Sequence, residues 1–277
     1  MLAHRTCLKK TGNVELLGIL NITADSFSDG GRFTETADAV THGMKLLSDA
    51  EILDIGAASS HPDAAAVDPE LEITRLGPVI DAFKTQNARI SIDSFQPRVQ
   101  TFAARRGVEF INDIHGFPDR SVYPELLQAG VKLIAMHAVQ AQGIATRENV
   151  SPAIIVDRIF AFFDKRVEQL LRVFPRERII LDPGMGFFLS ADARASVQAL
   201  KAIGTLKARY GLPVLVSVSR KSFLGALSGR PAVEERAAAT LAAELFAADA
   251  GADYIRTHDP RALKDAWRLT QMLRERG

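Results

Sequence analysis

Residues 16–22 read LLGILNI, an apolar run in which the one strongly polar side chain, Asn21, stands next to the end. A run this rich in leucine and isoleucine is typical of a strand buried on both faces of a parallel sheet. Seven similar runs follow along the chain: ILDIGA (52–57), RISID (89–93), FINDI (110–114), KLIAMH (132–137), RIILD (178–182), PVLVSVS (213–219) and YIRTH (254–258). The sequence therefore predicts eight buried parallel strands.

Segments with the 3.6-residue period of helices lie between these runs. In residues 153–172 the apolar positions fall on one helical face: Ile155, Ile159, Phe162, Phe163, Val167 and Leu170. Eight strand–helix units in a chain of 277 residues average about 35 residues each, as in a (β/α)₈ TIM barrel. We expect a single-domain barrel over residues 16–277, with residues 1–15 as an N-terminal extension. A doubly wound open sheet is the structural alternative.

The composition limits the classes of function. Hydrophobic residues make up 47% of the chain, and 34 Lys and Arg balance 33 Asp and Glu, which argues against a nucleic-acid binder. Cys7 is the only cysteine, which excludes an intrachain disulfide and a site of several thiolates. The N-terminus lacks the apolar core of a signal peptide, and no run approaches the ~20 apolar residues of a membrane span. We expect a cytoplasmic protein that binds neither membranes nor nucleic acids.

Polar side chains cluster where the predicted strands end. The carboxyl ends of all strands meet at one mouth of a barrel, and barrel enzymes keep their active sites there. Converging buried polar groups are costly unless they are used. The residues at these ends are Asn21, Asp93, Asn112, Asp113, Met136, His137, Asp182, Ser219 to Ser222 and Arg256 to His258.

Each of these residues also has a purely structural interpretation. Asp93 and Ser94 could cap a helix that begins near Gln96 and Pro97, and Asn112 could bond to a loop backbone. The DPGMG segment at 182–186 could be only a tight turn, and His258 could be a satisfied core histidine. A shared site accounts for all of them at once, so we prefer it.

One half of this set suits a flat heterocycle. Asp93, Asn112 and Asp182 offer two carboxylates and an amide to ring N–H donors, and Lys221 could donate to a ring carbonyl. A planar ring with several donors and one carbonyl is therefore the kind of ligand that these residue types favour.

The other half suits a polyphosphate with a metal ion. Arg256 could contact phosphate through two N–H groups, together with His258, and the side-chain oxygen of Asn21 is a reasonable ligand for Mg²⁺. Ser222 is expected at the N-terminus of a helix, where backbone N–H groups favour an anion. The residues alone suggest a heterocycle with a phosphate leaving group and an anionic co-substrate.

Several motifs resemble those of the dihydropteroate synthase family, in order and over about residues 16–275. They are GILNITADSFSDGGRF (18–33), ISIDSF (90–95), FINDI (110–114), LIAMH (133–137), IILDPGMGF (179–187), SVSRKSFLG (217–225) and GADYIRTHD (251–259). The resemblance implies an enzyme that joins 6-hydroxymethyl-7,8-dihydropterin diphosphate to 4-aminobenzoate and releases pyrophosphate with Mg²⁺ in folate synthesis. It also implies a homodimer and a sulfonamide target.

The resemblance carries roles over to matching positions. The implied catalytic residues are Asp93, Asp182, Lys221, Arg256 and His258. The implied pterin contacts are Asp93, Asn112, Met136, Asp182 and Lys221. The implied pyrophosphate contacts are Asn21, Ser60, His61, Arg256 and His258, with Asn21 also on the metal. The implied aminobenzoate contacts are Phe27, Pro62, Phe187, Phe188 and Ser222.

The resemblance further implies a dissociative substitution, in which pyrophosphate leaves before the amine attacks. Two segments depart from the family pattern. In residues 59–63, SSHPD, His61 stands in place of an arginine and Ser60 in place of a threonine. Residues 186–189 read GFFL, where Gly-Phe-Gly-Lys is common in the family. Phe188 therefore adds an aromatic ring, and Leu189 stands in place of a lysine. Both departures resemble the sulfonamide-insensitive branch, so we expect weak sulfonamide binding.

Two other functions are compatible with part of this pattern. A methyltransferase that acts on methyltetrahydrofolate and a corrinoid protein shares the barrel and the Asp/Asn/Asp set, but it has no pyrophosphate to bind, so the SRKS and RTH motifs argue against it. A non-catalytic pterin-binding paralogue is conceivable because of the altered loop at residues 59–63. Release of pyrophosphate would distinguish the synthase from both.

Overall fold

A computed structural model describes residues 14–22, 32–59, 61–65 and 67–274. Its strands are β1 (Glu15–Asn21), β2 (Ile52–Gly56), β3 (Ile90–Asp93), β4 (Phe110–Asp113), β5 (Lys132–Met136), β6 (Ile179–Asp182), β7 (Leu215–Val216) and β8 (Tyr254–Thr257). All paired strands are parallel, in the order β6-β5-β4-β3-β2-β1-β8-β7. A single bridge between Leu181 and Val214 joins β6 to the segment before β7. The predicted barrel is confirmed.

Helices in the described part of the chain surround this sheet. They are α1 (Arg32–Leu47), α2 (Pro69–Lys84), α3 (Pro97–Arg105), α4 (Tyr123–Ala129), α5 (Ile155–Leu171), α6 (Ala193–Lys201), α7 (Ile203–Tyr210), α8 (Ser222–Ser228), α9 (Ala237–Asp249) and α10 (Pro260–Arg274). Two helices, instead of the one expected, follow β6, and two follow β7. None of the described helices has the length and apolar character of a membrane-spanning segment.

Local signals explain where some helices begin. Asp68 caps α2 by accepting a bond from the backbone N–H of Glu70 at 2.8 Å, directly before Pro69. The N-cap residue of α3 is Gln96, whose side chain makes no capping bond. Asp93 therefore does not cap α3, whereas the Ser94 hydroxyl accepts a bond from the Gln96 N–H at 3.2 Å, directly before the helix. The capping interpretation is wrong for Asp93, and Ser94 makes a local bond of the kind it expected.

The amino-terminal half of the barrel interior is filled with side chains. A buried apolar layer closes it: Leu17, Ile52, Phe110, Ile134, Ile180 and Leu215. Next to this layer Glu109 accepts bonds from Arg89 Nε at 2.8 Å and Lys132 Nζ at 3.0 Å. Both cations also lie over the ring of Phe110. The opposite, carboxyl-terminal mouth is left for ligands.

Candidate active site

A cleft of about 460 Å³ opens at the carboxyl-terminal mouth of the barrel. Ten predicted site residues line it: Asn21, His61, Pro62, Asp93, Phe187, Phe188, Lys221, Ser222, Arg256 and His258. Asn112, Met136 and Asp182 do not line it directly and are buried on the strands between β4 and β6. Phe27 and Ser60 lie outside the described residues. The structure thus brings most of the predicted set to one mouth.

Arg256 on β8 links two carboxylates of neighbouring strands. Its Nε donates to Asp54 Oδ2 at 2.5 Å, and its Nη2 donates to Asp93 Oδ2 at 2.8 Å. Burial acts to lower the pKa of Arg256, but the charges of Asp54 and Asp93 outweigh it and hold that pKa above its ordinary value. The guanidinium is therefore charged and fixed in orientation.

Asp54 is a component of the site that the strand-end argument missed. Its side chain is fully buried, and Oδ1 has no hydrogen-bond partner among the described residues. A signal was present in the sequence, because a carboxylate interrupts the otherwise apolar run ILDIGA. A charge inside a buried strand requires a partner, and here the partner is Arg256.

Burial shifts the acids on the floor of the cleft towards their neutral forms. It raises the pKa of Asp93 to about 6, against the opposing charge of Arg256. It likewise raises the pKa of Asp182 to about 6, although the carboxylate accepts a 2.8 Å bond from the Gly184 N–H. Both carboxyl groups therefore titrate at a higher pH than a solvated aspartate, as suits groups that respond to charge on a ligand.

Lys221 is the cation of this floor. Burial lowers its pKa to about 8, although Asp182 and Asp93 favour the charged form. Its Nζ lies 4.9 Å from the ring centroid of Phe188, a cation–π distance. The group remains protonated at neutral pH and is available as a hydrogen-bond donor.

Asn112 offers an unused acceptor at the end of β4. Its side chain is buried, and its Oδ1 has no hydrogen-bond partner within the described part of the chain. Buried polar atoms are nearly always paired, so an unpaired acceptor points to a ligand. Met136 lies nearby in a small apolar cluster with Ile114, Ala145 and Phe188, which suits the face of a flat ring.

His258 is held by the serine that ends the seventh apolar run. Ser219 Oγ accepts a bond from the His258 backbone N–H at 3.1 Å and lies 2.9 Å from the ring atom Nδ1. Burial, followed by the charges of Arg256 and Arg220, lowers the pKa of His258 to about 3. The imidazole is neutral in this environment, and the interpretation as a core histidine does not explain its place on the cleft wall.

The end of the cleft next to α8 holds two cations to which the sequence argument gave no role. Arg220 and Arg236 also line the cleft, and Arg236 Nη1 donates to the Arg220 carbonyl at 2.8 Å. Ser222 is the first residue of α8, as expected. Arg220 adopts φ of 59°, which turns the chain sharply before that helix. The SRKS motif contained the signal for Arg220, whereas Arg236 lies in a segment without one.

Two loops meet at the rim beside Phe187. The guanidinium of Arg147 lies 5.6 Å from the ring centroid of Phe187, and the His61 ring lies edge-on to it at 6.2 Å. Arg147 also donates to both carboxylate oxygens of Asp63, at 2.7 and 2.5 Å. Asp63 and Arg147 were not predicted, because only the fold brings residues 84 positions apart together.

The DPGMG segment is a constrained turn as well as part of the site. Gly184 adopts φ of +75°, and a Cβ there would lie 2.2 Å from the carbonyl oxygen of His137. That histidine is not among the residues that line the cleft. Its Nδ1 donates to the Pro183 carbonyl at 3.1 Å, and burial lowers its pKa to about 4. His137 therefore supports the loop, whereas Asp182 faces the charges of the cleft.

Comparisons with known proteins agree with this geometry. Residues 17–258 match the family model described as pterin binding enzyme. The chain is 49% identical to dihydropteroate synthase type-2 of Escherichia coli over 262 residues, which cover 94% of this chain and 96% of that protein. It is also similar to dihydropteroate synthase of Xanthomonas albilineans solved with 4-aminobenzoic acid, with a TM-score of 0.86, 32% identity and 96% and 95% of the two chains covered. The structure of that synthase with 7,8-dihydropteroate gives a TM-score of 0.83 at 32% identity, with 97% of each chain covered.

Proposed function

This chain belongs to the pterin binding enzyme family, and we propose how the residues of its cleft perform the reaction of a dihydropteroate synthase. The reaction joins 6-hydroxymethyl-7,8-dihydropterin diphosphate to 4-aminobenzoate and releases pyrophosphate. The observation that carries the proposal is one cleft with two chemically different ends. A buried floor of two carboxylates and an unpaired amide oxygen adjoins a wall of arginines, a histidine and a helix N-terminus.

The floor would bind the pterin. The unpaired Oδ1 of Asn112 is an acceptor for a ring N–H, and Asp93 and Asp182 supply further acceptors. Lys221 would donate to the ring carbonyl, and Met136 would contact the ring face. Since burial holds both acids near their titration range, positive charge that develops on the pterin would favour their ionised forms.

The cationic wall would bind the diphosphate and release it. Arg256 and His258 would contact the leaving phosphates, with Ser60 and His61 from the second loop. As the bond from the pterin methylene carbon to the phosphate oxygen breaks, its electron pair goes to pyrophosphate. The methylene cation that remains would be stabilised by the pterin ring and by Asp93. The neutral amine of aminobenzoate then attacks it, and the ammonium that forms loses one proton to the released pyrophosphate or to solvent. The residues act electrostatically and form no covalent intermediate.

Asn21 would be the protein ligand of Mg²⁺. Its side chain is exposed at the end of β1, and no group of three or more His, Cys, Asp or Glu among the described residues could hold a metal. A single side-chain oxygen from Asn21 fits Mg²⁺, which takes oxygen ligands and often keeps several waters and substrate phosphates as its other ligands. When bound, Mg²⁺ would neutralise charge on the leaving diphosphate.

The rim would bind 4-aminobenzoate. Phe187, Phe188 and Pro62 line this side of the cleft and would pack on the ring, with Phe27 from the first loop, and the start of α8 at Ser222 would bind the carboxylate. Phe188, the aromatic that the family pattern lacks, would narrow the part of the cleft that has to hold any group larger than a carboxylate. We therefore expect sulfonamides to inhibit this enzyme more weakly than a synthase with an arginine in the second loop. Equal inhibition constants, measured side by side, would contradict this expectation.

A homodimer is the assembly that we propose. A groove of about 380 Å³ runs along α6, α8 and α9 and is lined almost entirely by apolar side chains. Leu227 and Phe246 are 51% and 47% exposed there, as in surfaces that bind another protein. Sedimentation velocity should give a dimer for the wild type and a monomer for Phe246→Glu. A cytoplasmic location and the absence of nucleic-acid binding stay predictions from the sequence.

An assay of pyrophosphate release tests the function directly. With Mg²⁺ and both substrates, Asp93→Ala and Lys221→Ala should each lower the rate at least about 100-fold, the usual cost of removing an electrostatic group from a reaction centre. Lys84→Ala, which removes an exposed cation from α2, should keep the wild-type rate. If the wild type releases pyrophosphate no faster than the two site variants, the proposed function is wrong and the non-catalytic paralogue is the alternative that fits. Activity with methyltetrahydrofolate alone would favour the methyltransferase.

A further inference from the structure

Gln100 is a buried amide on α3 that the reaction described above does not use. Its surface is 2% exposed. Its side-chain nitrogen Nε2 donates to the Ser94 carbonyl at 3.0 Å and to Asp113 Oδ2 at 2.9 Å. Burial of an amide is costly unless its hydrogen bonds are made, and here both N–H donors are used on the ends of two neighbouring strands.

Each acceptor of this amide directly follows a residue of the cleft floor. Ser94 follows Asp93, and Asp113 follows Asn112. The strands β3 and β4 pair with Asp93 opposite Asn112, and the Ser94 N–H extends this pairing by donating to the Asn112 carbonyl at 3.0 Å. Gln100 therefore bridges the two strands one residue beyond the side chains that would bind the pterin.

Both ends of the bridge are held by further bonds. The buried Asp113 carboxylate accepts the His115 N–H at Oδ1, at 2.7 Å, and the Phe117 N–H at Oδ2, at 3.1 Å, which fixes the turn after β4. The Ser94 hydroxyl donates to Glu72 Oε2 on α2 at 3.0 Å. The amide thus joins two anchored points, so it determines the distance between them.

Asn112 depends on its backbone for its direction more than Asp93 does. The Asp93 carboxylate is also held by Arg256 at 2.8 Å, whereas Asn112 Oδ1 has no hydrogen-bond partner among the described residues. The direction of such an acceptor is set by the main chain that carries it. A rigid ring that must reach both acceptors binds well only when their spacing is fixed beforehand.

We propose that Gln100 is a positioning residue whose amide fixes the spacing of Asp93 and Asn112 and so sets the affinity for the pterin ring. This inference rests on the proposed function, which places the ring on these two residues. Gln100 is not among the residues that line the cleft, so it acts through the ends of β3 and β4. The inference gives α3 a share in recognition of the substrate.

Direct binding of two partial ligands provides the first test and needs no turnover. The probes are 6-hydroxymethyl-7,8-dihydropterin, which carries no phosphate, and inorganic pyrophosphate with Mg²⁺, each titrated in a calorimeter. Gln100→Met keeps the length of the side chain and removes both donors, so it should raise the Kd of the pterin about tenfold. The Kd of pyrophosphate should not change, because Asp54 also holds Arg256.

A second variant keeps the shape of the glutamine. A glutamate at this position has one O–H donor when neutral and none when ionised, so at most one of the two bonds can form. Gln100→Glu should therefore also raise the Kd of the pterin, and it tests the inference even if Gln100→Met does not fold.

Tyr210→Phe is the matched control for stability. It removes the bonds of a phenol hydroxyl to the Phe160 carbonyl at 3.0 Å and to Asp164 at 2.8 Å, between α5 and α7 on the outside of the barrel. This variant should lower the free energy of unfolding and leave both Kd values as in the wild type. If Gln100→Met and Gln100→Glu also lower stability alone, their glutamine has only a structural role and the inference is wrong.

Steady-state kinetics shows whether the effect is confined to one substrate. In Gln100→Met the KM for the pterin diphosphate should rise about tenfold, whereas the KM for 4-aminobenzoate should stay at the wild-type value. Equal rises in both KM values, or in both Kd values, would overturn the inference.

The binding and turnover measurements separate the possible failures. A wild type that binds the pterin about ten times more tightly than Gln100→Met but never releases pyrophosphate contradicts the proposed function and supports the role of Gln100. A wild type that binds no pterin contradicts both.

Discussion

At the scale of single residues, the position of Arg256 depends on two acids with different tasks. Asp93 lies on the floor of the cleft and is the acid that a pterin would engage, whereas Asp54 is fully buried. A ligand that draws Asp93 away from the arginine leaves Asp54 as the remaining partner. In the proposed function, Asp54 would therefore keep the guanidinium directed at the diphosphate throughout the reaction.

Removing the charge of Asp54 should weaken the enzyme without removing a substrate contact. Asp54→Asn loses a charge-assisted hydrogen bond worth about 1.5–3 kcal/mol, so kcat/KM for the pterin diphosphate should fall about 10- to 100-fold. Steady-state pyrophosphate release measures this fall. Glu109→Gln, which changes another arginine-paired acid at the opposite end of the barrel, should have little effect, and equal losses in both variants would show general destabilisation.

Much of the candidate site could be predicted from strand ends alone. Asp93 and Asp182 each stand last in an apolar run, and the ends of parallel strands must converge. Asp54 was missed because it lies inside its run, and Ser219 was noted without a role because its bond to His258 depends on side-chain direction. Asp63 and Arg147 had no signal, since their pairing depends on how two loops fold over the mouth.

At the scale of elements, the loops after β2 and β5 are fastened to each other at the rim. The Asp63–Arg147 ion pair joins them, and the ring of Phe187 lies between Arg147 and His61. The ion pair therefore fixes one wall of the rim that we propose as the aminobenzoate site. The side chains of Asp63 and Arg147 are 61% and 54% exposed, so the ion pair holds the two loops together with only a modest free energy.

Breaking this ion pair should affect one substrate only. Asp63→Asn and Arg147→Gln should each raise the KM for 4-aminobenzoate about two- to fivefold at low ionic strength, since an exposed pair contributes at most about 1 kcal/mol. The KM for the pterin diphosphate should not change, and salt should diminish the difference. The exchanged pair Asp63→Arg with Arg147→Asp should recover part of the loss. Arg194→Gln, which changes an exposed arginine elsewhere on the surface, is the control. If the single variants have the same KM for 4-aminobenzoate as this control, the ion pair does not have this role.

The strand count was predictable because buried parallel strands leave near-continuous apolar runs. The helix count was not, since α7 follows α6 after one residue, Ala202, and no breaker separates them. The helix α9 is apolar on several sides, with buried Ala247 and exposed Phe246 adjacent, so its sequence lacks a clear helical period. Packing in the folded barrel decides these boundaries.

At the scale of the whole molecule, buried acids make stability depend on pH. Glu72 on α2 is 2% exposed, and burial raises its pKa to about 7. A carboxyl with a raised pKa in the folded state stabilises the fold fully below its unfolded pKa, near 4.5. That contribution is lost as the pH rises through about 7.

Glu72→Gln should remove this dependence. Relative to wild type, the free energy of unfolding of the variant should rise by up to about 3 kcal/mol between pH 4.5 and pH 7.5, the equivalent of the pKa shift. Urea denaturation at several pH values measures the difference. Glu125→Gln, which alters a half-buried acid paired with Arg105, should show no such rise, and a flat difference for Glu72→Gln would disprove the argument.

The single bridge between Leu181 and Val214 has a consequence for how ligands affect the barrel. With only that bridge between β6 and β7 in the described residues, the sheet resembles a curled strip whose two ends are joined at one point. Asp182 belongs to one end of the strip, and Lys221 follows the other. A heterocycle that binds both residues ties the two ends together without a covalent bond, so occupancy of the floor should stiffen the entire ring of strands.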